Sequence, residues 1–288
     1  MEMNKVAEVN KNAFVSSLDS PQQVKVKKRQ KPVKSYIPIL AFFLLWETFS
    51  RVNITLELMN PKFLPPPTMV LVRAWEMIQT GILLESLLSS TLRVLIGFLI
   101  GGVLGVAMAL LIGKSKRVDD WITPVLNMLG PIPALAILPL FIIWFGIGEV
   151  PKITLIAWTV FFPVLTNTVD GIKSVNSTLI RSALSLGANE KQIYRKVVLP
   201  SVLPNILAGC QISLGLAFGA LVVSEMMGAT SGLGYIIVDA RNYFKLSDMY
   251  VSIIAIGIEY SLFSVMLKIV DKKMLTWRRG GFSQAVEK

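Results

Sequence analysis

Six apolar runs separated by short polar stretches dominate the chain, at about 36–54, 86–112, 120–147, 152–173, 202–224 and 248–270. Each is close to or longer than the roughly 20 residues an α-helix needs to cross the hydrocarbon core of a bilayer. The pattern predicts an all-α, polytopic membrane protein with six transmembrane helices. An even number of crossings puts both termini on one side. Between the first two runs, residues 55–85 hold PKFLPPPTMV, whose prolines bias their predecessors towards extended backbone. Val70, Leu71, Ala74 and Ile78 follow at helical spacing, which predicts a short helix capped by Thr68 and lying along the outer membrane surface.

The stretch between the fourth and fifth runs follows another pattern. From Val175 it reads VNSTLIRSALSLGANEKQIYRKVVLPSVLP. Val175, Leu179, Ala183 and Leu186 fall on one helical face behind Asn176, a suitable N-cap. Gly187 suits the position just past a helix, where a positive φ is cheap. Asn189 then opens a second helix with Gln192 as its capping-box partner. Ile193 and Val197 give that helix an apolar stripe, and Pro200 is expected to end it before the fifth run. The prediction is two short helices at an angle, held at both ends by membrane spans.

Inside the runs, three signals stand out. Gly97, Gly101 and Gly105 recur every fourth residue, giving the second span a smooth side for close helix packing. Pro131, Pro133 and Pro139 bend the third span, either as a structural kink or as the wall of a pathway. Polar groups are sparse: Thr159, Thr166, Asn167, Thr168, Asp170, Gln211, Ser213 and Ser224. Glu225 and Arg93, each near an outer end, are the ionisable groups best placed for a pathway or a pairing, with snorkelling to the interface as the competing reading.

Composition narrows the chemistry. With 53% hydrophobic and 16% charged residues, an ordinary soluble domain is excluded. The chain has no histidine, which removes His-based acid–base and metal chemistry. The one cysteine, Cys210, lies in an apolar run and reads as a small buried hydrophobe. Gly113-Lys114-Ser115 imitates the end of a phosphate-binding loop, but Met108 stands where that loop needs glycine.

The net charge of +11 is explained by topology. With both termini inside, inner segments collect the basic tract Lys25–Lys34 and Lys114, Lys116, Arg117, Lys173, Arg181, Lys191, Arg195 and Lys196. The tail adds Lys272, Lys273, Arg278 and Arg279. Outer segments hold only Arg51, Lys62, Arg73, Lys152, Arg241 and Lys245. That bias predicts cytoplasmic termini. The basic tract reads as a segment facing anionic lipid, ahead of a nucleic-acid arm.

The stretch Arg181–Pro200 resembles the EAA loop of binding-protein-dependent ABC importer permeases. Ala183, Gly187, Ile193, Leu199 and Pro200 match its pattern, while Arg181 stands where the family has Glu and Ser182 where it has Ala. The region from SSTLRVLIGFLIGG to GIGEVPKI, and SEMMGATSGLGYIIVDARNYF, are similar to the sulfonate, taurine, nitrate and bicarbonate branch, most closely its aliphatic-sulfonate and taurine members. The resemblance runs from about residue 36 to 279 and implies the type I ABC importer permease fold.

It further implies a division of the chain: a basic tail at 1–35, a first span and outer segment at 36–85, a permease core at 86–270 with its coupling loop at 174–200, and a tail at 271–288. It implies a homodimer in the cytoplasmic membrane of a prokaryote. The expected partners are two cytoplasmic ABC ATPases, an extracytoplasmic substrate-binding protein and the lipid bilayer, and no nucleic acid. No cofactor is expected on this chain, since ATP-Mg belongs to the partner ATPase, so the chain is not itself an enzyme.

By the same resemblance, coupling to the ATPase falls to Arg181, Ser182, Ala183, Leu184, Gly187, Ala188, Ile193, Leu199 and Pro200. Leu199-Pro200 would hold the second helix at the membrane, and Ala183 and Leu184 would form the apolar knob surface. Candidate pathway or gate residues are Arg93, Pro131, Pro133, Asn167, Glu225 and Arg241, the last two nominated together for an outer gate. The expected cargo is a small anion, aliphatic sulfonate or taurine, with nitrate, bicarbonate or another small solute as the alternative. An ion-coupled secondary transporter would need midplane ion sites and an inverted repeat, and neither is visible. A membrane-embedded enzyme would lack histidine, paired cysteines and a carboxylate pair.

Overall fold

The computed structural model describes residues 36–276, so the basic tail 1–35 and the expected inner charges Arg278 and Arg279 lie outside the described residues. The regular structure there is helical: α1 Tyr36–Leu56, α2 Pro67–Gln79, α3 Ile82–Lys114, α4 Lys116–Leu129, α5 Ala134–Phe145 and α6 Glu149–Lys173. There follow α7 Ser177–Ser185, α8 Glu190–Ile193, α9 Leu199–Met226, α10 Leu233–Asn242 and α11 Leu246–Met274. Among the described residues, five helical stretches are long and apolar enough to cross a bilayer, and α4 with α5 make a sixth if that pair is one crossing.

The chain divides after Trp46 into two units. In the first, Phe42, Phe43 and Trp46 on α1 pack ring against ring, with centroids 5.6 to 6.3 Å apart. In the second, α3, α6 and α9 form the centre. Val94 of α3, Leu155, Val160 and Val164 of α6, and Leu214 and Leu221 of α9 share one buried cluster with Leu138 and Phe141 of α5.

The glycine stripe predicted from the sequence makes this centre possible. A methyl on Gly97 would lie 2.7 Å from the Ile156 side chain, and one on Gly105 would lie 2.8 Å from the Phe161 carbonyl oxygen. Backbone therefore meets backbone along α3 and α6, the contact that dispersion forces need where lipid offers no hydrophobic drive.

The third span differs from the expected kinked helix. It is two helices, α4 and α5, meeting at 102° across Gly130–Pro133. Pro131 and Pro133 remove two backbone donors within three residues and clash with the preceding turn, so the helix stops. Pro124 and Pro139, each alone, stay inside α4 and α5.

The outer segment also needs correction. Instead of staying extended, Pro61–Phe63 form a 3₁₀ turn capped by Asn60. Thr68 does not cap α2: Pro66 is the N-cap, and Thr68 donates its backbone N–H and hydroxyl to the Glu47 carboxylate at 3.1 and 2.9 Å. Glu47 thus supplies the negative charge favoured at a helix start.

Val70 and Met77 of α2 are buried with Leu233, Ile236 and Val251, whereas Leu71 and Ile78 of the expected stripe are exposed. Arg73 ties α2 to α11 through Asp248 at 2.5 and 3.0 Å. Asp248 and then Glu76 hold the Arg73 guanidinium above the usual arginine range, so this tie keeps its positive end at any physiological pH.

Candidate functional site

Two places combine unusual residues with organised geometry. The first is the elbow between α6 and α9. Asn176 accepts the Thr178 N–H at 2.8 Å and starts α7. At the other end Gly187 takes φ +79°, donating its N–H to Leu184 while Ala188 donates to Ala183, at 2.9 and 3.0 Å. That paired closure satisfies carbonyls the helix end would leave open. Asn189 and Gln192 exchange backbone and side-chain bonds at 2.9 Å both ways, the capping box the spacing predicts.

Asn189→Ala is expected to cost about 1 kcal/mol of local stability, read as faster amide exchange over 189–193.

Three expectations for this elbow change. Pro200 does not end its second helix: α8 passes through a π-helical turn, Tyr194–Val198, into α9, so 190–226 is one continuous rod of 37 residues. A proline ring collides with the carbonyl four residues back and cannot donate to it. Widening the preceding turn to π geometry shifts those carbonyls out of the way. Leu199-Pro200 therefore sits inside the rod and not at a helix end.

The apolar faces also differ. Val175, Ile180, Ala183 and Ala188 pack on the buried cluster of Ile193, Val198 and Val202, whereas Leu179, Leu184 and Leu186 are exposed. Of the two residues expected to form the knob surface, Leu184 points outward and Ala183 packs inward. Arg181 and Ser182 are exposed. Tyr194 donates its hydroxyl to the Leu110 carbonyl at 3.0 Å, tying the elbow to α3.

The second place is a buried ionic cluster. Arg93 on α3 uses its whole guanidinium. Its Nη1 donates to Glu225 Oε1 and to the Ser231 carbonyl, both at 2.7 Å. Its Nε and Nη2 fork onto the Glu149 carboxylate at 2.5 and 2.8 Å, and Nη2 reaches Ser231 Oγ at 3.5 Å. Lys152 donates to Glu149 Oε1 at 3.0 Å. Glu225 also accepts from Ser90 Oγ at 2.7 Å and from the Gly234 N–H at 2.8 Å. Two cations face two carboxylates, so the charges of the cluster balance and neither buried cation stands without an acid.

Backbone shape allows this. Gly232 sits at φ +125°, and a methyl there would lie 2.5 Å from the Glu225 carboxylate and 2.7 Å from Arg93 Nη1. Only a glycine lets the chain cross the cluster so closely. The two carboxylates are not equivalent: the Glu225 side chain is 0% exposed and that of Glu149 55%.

The six pathway or gate candidates fall in separate places. Arg93 and Glu225 pair directly. Arg241, nominated with Glu225 for an outer gate, is exposed on α10, and the base bonded to Glu225 is Arg93. Pro131 and Asn167 line a cavity of about 640 Å³ with Asn127, Thr166, Asp170 and Lys173, while Pro133 caps α5. The hydroxyls of Thr159, Thr166 and Thr168 bond back to carbonyls of their own helix, and Ser213 and Ser224 do the same.

In the sequence Lys152 stands out only as an outer charge, and Glu149, Ser90, Ser231 and Gly232 do not stand out at all. The Glu149/Lys152 spacing and the Ser-Gly-Leu-Gly run behind Glu225 were the available signals.

The family described as "Binding-protein-dependent transport system inner membrane component" matches residues 101–275. A Bacillus subtilis (strain 168) protein carrying the name aliphatic sulfonates transport permease protein SsuC is 37% identical over 252 residues, covering 88% of this chain and 90% of that one. The taurine transport system permease protein TauC of Escherichia coli (strain K12) is 35% identical over 228 residues, covering 77% and 83%. Among solved structures, a chain of the MetNI methionine ABC transporter, inward facing, superposes with a TM-score of 0.60 at 19% identity. It covers 69% of this chain and 98% of that one, a likeness of fold.

Proposed function

This chain belongs to the family of binding-protein-dependent transport system inner membrane components, and we infer that the solute it passes is a small organic sulfonate of the aliphatic or taurine type. It is a membrane permease of an ABC importer, and ATP is hydrolysed on a separate ATPase subunit. In this reading two copies of the chain enclose the pathway, both termini lie in the cytoplasm, and a loaded binding protein delivers solute from the other side. The names of the relatives at 35–37% identity support the choice of cargo.

One observation carries the mechanism: both helices of the elbow are capped, and the second runs without a break into α9. A partner that grips exposed Leu184 and Leu186 moves α7, which packs on Ile193, Val198 and Val202 and so pushes the continuous helix behind it, whereas a loose loop would absorb the displacement. Closure of two ATPases around ATP-Mg would then tilt the rods and exchange inward for outward access. Cargo binding biases that exchange only through its different affinities for the two states.

The reading is tested by uptake. Deleting the gene should abolish accumulation of labelled ethanesulfonate or taurine, and uptake persisting in the deletion strain would remove the assigned cargo. Gly187→Val puts a β-branched residue at φ +79°, costing about 1–2 kcal/mol in a left-handed backbone. The variant should insert normally yet lose ATPase association and uptake together. Undiminished uptake would discard the elbow as the coupling element.

A further inference from the structure

The exposed half of the ionic cluster has the form of an anion site with its own carboxylate in place. Glu149 is held by three donors at 2.5 to 3.0 Å, the Arg93 fork and Lys152. Both cations are 5% exposed and therefore stay where they are, but the Glu149 side chain is more than half exposed. A planar fork with an ammonium beside it is a donor set suited to any oxyanion.

Glu225 does not compete for this role, because it is fully buried and bonded to Ser90, Gly234 and the other edge of Arg93. Lys152 also lines an otherwise apolar cavity of about 290 Å³ with Ile142, Ile147, Pro151 and Met227. That volume lies just below the roughly 300–1,000 Å³ typical of drug-sized ligand sites, as suits a small solute. An oxyanion head beside an apolar recess matches a short alkyl sulfonate.

We propose that Arg93 and Lys152 form a sulfonate-binding subsite, occupied by the Glu149 carboxylate until the solute displaces it. The choice of sulfonate rests on the cargo inferred above; the anion site itself rests on the geometry. Displacement keeps the count of charges constant, since one anion leaves as another arrives, so the buried cations are never left bare. Glu149 thereby acts as a tethered competitor that lets a loaded solute in and leaves no vacant positive site for other ions.

The test uses the full-length chain with its ATPase partner in phosphatidylcholine nanodiscs, titrated with ethanesulfonate. Glu149→Gln keeps the shape but removes the competing charge. Removing the resident carboxylate should tighten ethanesulfonate binding by about tenfold, the gain expected where roughly one site in ten is otherwise open. Adding Lys152→Gln to that variant should erase the gain, and Lys152→Arg should keep it.

Affinity unchanged by Glu149→Gln, or a gain that survives Lys152→Gln, would overturn the subsite. A gain that vanishes when phosphatidylglycerol enters the disc would assign the site to lipid phosphate and overturn the solute reading. Should the native strain fail to accumulate ethanesulfonate while the Glu149→Gln gain appears in nanodiscs, the inferred cargo falls and the anion site stands.

Discussion

Glu225→Ala is expected to destabilise the folded chain by about 3–5 kcal/mol, the usual cost of removing one partner of a buried ion pair. The loss has three parts in this structure. Arg93 Nη1 keeps only the Ser231 carbonyl, Ser90 Oγ loses its acceptor, and the Gly234 N–H is left without the carboxylate that satisfied it. Thermal unfolding in nanodiscs reads the effect. The double variant Arg93→Met/Glu225→Met should recover much of the stability, because an apolar pair of similar bulk leaves no bare charge. Equal damage from the single and double variants would show that the pair does not contribute through its charges.

Gly101→Ala is the second large effect. Its methyl would overlap the Ala157 carbonyl oxygen and approach Val160 Cβ at 2.9 Å. Backbone cannot swing aside like a flexible side chain, so α3 and α6 must part. Forcing an extra methyl into such a contact costs about 1–3 kcal/mol and sometimes more, and a backbone contact this close belongs at the upper end. Gly102→Ala is the control, because nothing lies within 4 Å of its added methyl. That neighbour should be neutral or slightly stabilising, by up to about 1 kcal/mol from helix propensity. A pair of variants with equal melting temperatures would mean that the glycine stripe does not set the helix spacing.

Much of this architecture is legible in the sequence because its signals are local. Caps lie within three residues of the helices they start, as Asn176 and Asn189 do, and Gly187 marks its own positive φ. The glycine stripe is legible because period four on a helix is a face. Two kinds of feature were not. The partners of Arg93 lie 56 and 132 residues away, and no local pattern states which distant acid meets which base. Glu225 and Arg93 stand out singly as costly charges near outer ends, but their contact, and the second fork of Arg93 onto Glu149, appear only in the folded chain. Pro200 misled for another reason: a proline is a stop signal unless the turn before it widens, and Tyr194–Val198 do so.

The continuous helix from Glu190 to Met226 joins the elbow to the ionic cluster. At about 1.5 Å per residue it is about 55 Å long, with the capped elbow at its start and Glu225 in its last turn. A seesaw of that length, rocked by about 5° on its middle, swings each tip by about 2 Å. Such travel exceeds the slack of any hydrogen bond, so whatever tips the Asn189 end pulls directly on the grip between Glu225 and Arg93.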